Sequence, residues 1–138
     1  LVGYISHKIG KGHSDFSDFY PKYVSSHDKI RYQKPVVVLT NRSCYSATND
    51  FVNVMKHAPN ATIIGDKTGG GSGLPFSSEL PNGWSIRFSA SPMYDINKGH
   101  IEFGIEPDMY VSMAESDKSK GKDTIIEKAR DLIHSASR

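Results

Sequence analysis

Three segments decide the fold class: Pro35-Val36-Val37-Val38-Leu39-Thr40, then Ala47-Thr48-Asn49-Asp50-Phe51-Val52-Asn53-Val54-Met55, then Ala61-Thr62-Ile63-Ile64-Gly65. The first and last are short, continuous, largely β-branched apolar runs, the pattern of strands covered on both faces in a parallel sheet. Between them the period changes. Ala47, Phe51, Val54, Met55 and Ala58 recur at i, i+4, i+7, i+8 and i+11, which puts them on one helical face, and Pro59 ends the helix. Residues 35–65 therefore read as a βαβ unit with a right-handed crossover, and the chain as α/β.

Working outward, Gly10 to Lys34 has no sustained period of 2 or 3.6 and reads as an ordered but irregular excursion. Downstream, Phe76 to Leu80 and Trp84 to Ser89 flank Asn82-Gly83, a strong signal for a tight hairpin. Trp84, Ile86 and Phe88 alternate with polar residues, so one face of the hairpin is expected to be buried. Met109-Tyr110-Val111 reads as a short edge segment, and Glu115 to Lys122 as polar and mobile. Thr124 and Glu127 fit a capping box for a C-terminal helix, with Ile125, Ile126, Ala129, Leu132, Ile133 and Ala136 as its buried stripe.

Composition excludes several classes. The 138 residues carry 17 Lys+Arg against 15 Asp+Glu, and no run of five like charges marks a nucleic-acid stripe or a polybasic patch. One Cys rules out an internal disulfide and CxxC chemistry. No apolar stretch approaches the ~18 residues of a membrane span. The opening Leu1-Val2-Gly3-Tyr4, without Met, suggests a fragment of one domain.

Ser46 lies where a strand and a short loop deliver the chain into a helix. Backbone N–H groups and the positive dipole end at such a place would stabilise an alkoxide or a tetrahedral oxyanion, which suits a nucleophile. The same position also suits a simple N-cap. Cys44, two residues earlier, is a competing nucleophile, although its flanks match no cysteine-protease signature and a buried Cys is usually inert. Thr68-Gly69-Gly70-Gly71-Ser72-Gly73 lacks the Lys-Ser/Thr ending of a phosphate-binding loop; a flexible spacer, or a backbone that closely approaches another chain, fits better. His7, His13, His27, His57, His100 and His134 form no metal-binding pattern. Glu102 and Glu106 flank the turn at Gly104, where either could orient a base or remain a solvated surface group.

Five stretches in order resemble one family: Lys34 to Asn41, Ser43 to Phe51, Ile64 to Gly71, Leu80-Pro81-Asn82-Gly83 and Gly104-Ile105-Glu106-Pro107-Asp108. The family is that of the serine peptidases which include the C-terminal processing (tail-specific) proteases and the tricorn protease core. The resemblance implies a ClpP/crotonase-like α/β fold, of which this chain would be the C-terminal half of the catalytic domain. It also implies Ser46 as nucleophile, in Ser46-Ala47-Thr48-Asn49, with the Ala47 N–H facing the oxyanion and Gly69, Gly70 and Gly71 lining the substrate cleft.

Gly71 stands where the processing proteases carry their Lys base, which closes the Ser–Lys mechanism and points to tricorn-like members with a His base. That His and the second oxyanion donor are expected before Leu1, and Glu102 is the candidate assisting acid. The wording Asn41-Arg42-Ser43-Cys44-Tyr45-Ser46 is similar to that of a Bacteroidetes branch whose members are typically exported, so an extracytoplasmic site is implied. Peptide or protein substrates, the missing N-terminal half as partner, and no cofactor or metal complete the expectation. The rival is a non-catalytic ligand- or peptide-binding module on the same scaffold.

Overall fold

The computed structural model describes residues 1–136. Its central sheet holds β3 (Val36–Thr40), β4 (Ala61–Gly65) and β8 (Met109–Tyr110) in the order β3-β4-β8, all parallel. Val36 pairs with Ala61 and Thr40 with Gly65, while Ile64 and Gly65 pair with Met109 and Tyr110. Helix α1 (Ala47–Met55) connects β3 to β4, as the change of period requires, and packs on β4. The strand-helix-strand order and the edge segment are as read from the sequence, but α1 stops at Met55, so Ala58 lies beyond it and Pro59 does not end it.

A second sheet sets β1 (Gly3–Ile5) between β2 (Tyr20–Lys22) and β7 (Met93–Tyr94), both antiparallel to it. The segment read as irregular thus contributes one short strand. The hairpin is β5 (Pro75–Glu79) and β6 (Ser85–Ser89), with Phe76 opposite Phe88. Two helices end the described chain: α2 (Glu115–Lys118) and α3 (Thr124–Ala136), the latter packed on β3 and β4.

The core gathers Val52, Ile63, Met93, Ile101 and Ile105, with Ile5, Val38 and Met55 against it. Each such side chain contributes about 1.5–3 kcal/mol on burial. Several expectations are corrected here. Helix α1 buries Asn49, Val52 and Asn53, whereas Phe51 is 52% exposed and Ala47 faces outward. Polar residues occupy that face because distant groups satisfy them: Asn53 Nδ2 donates to the Val2 carbonyl at 2.8 Å, and Asn49 is bonded as described below.

The hairpin buries neither face, and Trp84 is 71% exposed. Strand β3 is only half-buried, with Leu39 exposed just before its buried last residue, Thr40. In α3 only Ala129 is buried, and the cap is Asp123 rather than Thr124: its Oδ1 accepts from Ile125 N at 2.8 Å and Ile126 N at 3.0 Å. Thr124 instead donates to Asp117 Oδ2 at 2.9 Å and accepts from Ala114 N at 2.8 Å. These bonds tie the stretch read as mobile, which forms α2, to the start of α3.

Candidate active site

The loop after β3 is built by local hydrogen bonds. Thr40 Oγ1 donates to the Asp66 carbonyl at 2.8 Å, fixing the end of the strand, and Asn41 Oδ1 accepts from Ser43 N at 2.8 Å in an Asx turn. The Cys44 amide then closes on the Asn41 carbonyl at 3.0 Å. The Cys44 thiol is turned back to this loop, accepting from Asn41 N at 3.4 Å, and it is absent from the cleft described below. Tyr45 and Gly70 form an isolated parallel bridge, in which Ser46 N donates to the Gly70 carbonyl at 2.7 Å.

Ser46 follows with φ 56° and ψ −120°, immediately ahead of α1. This is the first central position of a type II′ turn, normally held by Gly, and it costs an L residue about 1–3 kcal/mol. Ser46 makes no side-chain cap bond, so the capping role open in the sequence is not taken up. Ser46 lines the cleft described below. The Ala47 N–H, first in the helix, has no intrahelical acceptor.

A buried polar network holds this turn. Asn49, 0% exposed, donates from Nδ2 to Ser72 Oγ at 2.7 Å and to the Ile101 carbonyl at 2.9 Å. Its Oδ1 accepts from Thr68 Oγ1, which in turn accepts from Ile105 N at 2.7 Å. Ser72 Oγ also donates to Asp50. One asparagine thus locks α1, the glycine-rich loop and the 101–105 turn together. The sequence signal was present in the i, i+3, i+4 spacing of Asn49, Val52 and Asn53, but polar residues on a helix are ordinarily assigned to solvent.

Gly69, Gly70 and Gly71 do not play one role. Gly69 N donates to the Cys44 carbonyl at 2.9 Å and Gly71 N to the Glu102 carbonyl at 2.8 Å. With the Gly70 carbonyl taken by Ser46, these groups serve the fold and are not offered to a substrate strand. At Gly70 (φ +78°) a Cβ would lie 1.9 Å from the Glu102 carbonyl oxygen, so only glycine fits. At Gly71 (φ +73°) a Cβ would lie 2.0 Å from Cζ of the Tyr45 ring. The ring of Tyr45, next to Ser46 in the chain, therefore covers Gly71.

Tyr45, Ser46 and Gly71 open onto one cleft of about 650 Å³, which Pro75, Arg87, Phe88, Ser89 and Glu102 complete; Gly69 and Gly70, expected from the sequence to line it, do not. Glu102 is held there by the Ser89 hydroxyl, which donates to Oε1 at 2.7 Å. Glu106 is elsewhere, paired with Lys67 at 2.9 Å. The Tyr110 hydroxyl and then the Lys67 ammonium hold its carboxyl below the usual range. Among the described residues lining the cleft there is no His or Lys. His57 sits at the far end of α1, and His7 approaches Ser91 Oγ at 3.4 Å. No cluster of metal-ligating side chains occurs among the described residues, and none of their helices is long and apolar enough to cross a membrane.

The sequence model of peptidase family S41 matches residues 4–111. The chain belongs to peptidase family S41. Among solved S41-like structures, a candidate peptidase from Parabacteroides merdae is 60% identical, with a TM-score of 0.92 over 96% of this chain and 42% of that one. Mature CPAF complexed with lactacystin is 24% identical, with a TM-score of 0.71 over 86% of this chain and 24% of that one. The photosystem II D1 C-terminal processing protease is 20% identical, with a TM-score of 0.56 over 80% of this chain and 27% of that one. The last two likenesses establish the S41 fold. The chain spans less than half the length of each of the three.

Proposed function

We propose that this chain carries the nucleophile-bearing half of a serine peptidase catalytic domain of the tricorn-like type, cleaving peptides or protein tails. The observation that carries the reading is Ser46 itself. It stands in a strained left-handed turn ahead of α1, makes no cap bond, and opens onto the same cleft as Glu102. Ser46 Oγ attacks the scissile carbonyl, and the Ala47 N–H donates to the oxyanion at the positive end of the helix. Glu102, steadied by Ser89, orients the general base.

That base is a histidine supplied by a segment of the full-length protein outside these residues, as is the second oxyanion donor. Membership of family S41 supports peptide-bond hydrolysis, and the position of Ser46 supports a serine mechanism.

The test is hydrolysis of casein and fluorogenic peptides by the full-length protein. Ser46→Ala is expected to abolish turnover and Cys44→Ala to leave most of it. The isolated 138 residues are expected to be inactive, since loss of a single oxyanion donor alone lowers kcat by roughly 10²–10³. Abolition of turnover by thiol alkylation, with Ser46→Ala still active, would overturn the assignment. So would a full-length protein that binds peptides but never cleaves them, the behaviour of a binding module.

A further inference from the structure

We propose that Arg87 is a specificity-determining residue of the Ser46 cleft, selecting peptides that present a carboxylate beside the scissile bond. The inference deepens the peptidase reading and rests on it. Strand alternation puts Arg87 on the same face of β6 as Ser89, and the Ser89 hydroxyl reaches Glu102 at 2.7 Å. That face of the hairpin therefore overlooks the catalytic turn, and Arg87 lines the cleft together with Ser46 and Glu102.

The remaining faces of the cleft are neutral: the Tyr45 ring spread over Gly71, Pro75 and Phe88. Arg87 and Glu102 are its two charged groups. Glu102 is engaged by Ser89 and reserved for the base. Among the described residues Arg87 enters no ion pair, whereas Arg42, Lys56, Lys67, Lys118 and Arg130 each have an acidic partner.

A bound peptide would strip water from that guanidinium, which is unfavourable unless the peptide brings a counter-charge. The planar guanidinium fork matches a carboxylate with two parallel N–H···O bonds. Two sources offer the same chemistry: the side chain of Asp or Glu, and the terminal carboxylate of a short tail.

The experiment uses the full-length protein and internally quenched peptides of one backbone. One arm places Glu or its isostere Gln at each position around the cleavable bond; the other ends short tails in a free carboxylate or an amide. Wild type is expected to favour acid over amide in kcat/KM by about tenfold to a hundredfold in one arm, the range for a charge-assisted hydrogen bond. The preferring arm identifies the source. Arg87→Gln should bring the ratio near one, Arg87→Glu should invert it toward basic peptides, and Arg87→Lys should restore part of it.

Equal turnover of acid and amide peptides by wild type, or a preference that survives in Arg87→Gln, overturns the proposal while leaving the serine reading intact. If no peptide is cleaved, the serine reading fails by itself, and anisotropy titration of the same labelled peptides decides the role of Arg87. Acid-selective binding lost in Arg87→Gln supports the proposal; unselective binding overturns it.

Discussion

Replacing Gly71 by Ala measures how far the Tyr45 ring is built into the turn at Ser46. The new Cβ would lie 2.0 Å from Cζ, 2.2 Å from Cε2 and 2.5 Å from the hydroxyl oxygen of Tyr45, at a backbone φ of +73°. The left-handed backbone costs an L residue about 1–2 kcal/mol whatever the space around it. The clash adds a second contribution, because the ring must swing away. Tyr45 is 60% exposed, so displacing it forfeits contact over at most about 80 Å², about 2 kcal/mol at 25 cal/mol/Å².

Gly71→Ala is therefore expected to lose about 2–4 kcal/mol in wild type but only about 1–2 kcal/mol when Tyr45 is already Ala, which removes the clash and leaves the backbone cost. Urea denaturation of wild type, both single variants and the double variant, followed by far-UV circular dichroism, gives the coupling. An identical cost in both backgrounds, within ~0.5 kcal/mol, would refute the placement of the ring over Gly71. The same geometry means that Gly71→Lys cannot install a lysine base without first displacing Tyr45.

Ser46→Gly is expected to stabilise the protein by about 1 kcal/mol while abolishing turnover, because glycine holds φ 56° at little cost; thermal unfolding beside a peptidase assay checks both halves. Asn49→Ala should destabilise by about 3–5 kcal/mol, since Thr68 Oγ1, Ser72 Oγ and the Ile101 carbonyl lose a buried partner together. A urea midpoint unchanged in that variant would contradict the network. Asp108→Asn should flatten the acid limb of stability. Partial burial raises the Asp108 pKa, but the Ile63 N–H bond and Lys56 outweigh it, so the folded value lies below the ordinary one. Its stabilisation is complete above about pH 4, the unfolded value, and lost as pH falls through the lower folded value. Wild type and variant that lose stability in parallel below about pH 4 would exclude this carboxylate as a contributor.

What could be read from local order came from properties carried by a few consecutive residues. Two β-branched runs around a segment of helical period define the β3-α1-β4 unit, Asn82-Gly83 marks the hairpin, and Ser46 sits at the strand-to-helix turn in any such arrangement. Period tells which residues share a face but not which face meets a partner. Phe51 and Trp84 stay exposed while Asn49 and Asn53 are buried, because the partners of those asparagines lie at Ile101, Thr68, Ser72 and Val2, far away in sequence. Glu102 reaches the Ser46 cleft only once the 101–105 turn is hydrogen-bonded to Gly71 and Thr68. The reach of Arg87 and the covering of Gly71 by Tyr45 likewise exist only between segments that the fold brings together. Local chemistry selects the elements and names the serine. The company that serine keeps follows from burying polar groups only where distant backbone and side chains can satisfy them.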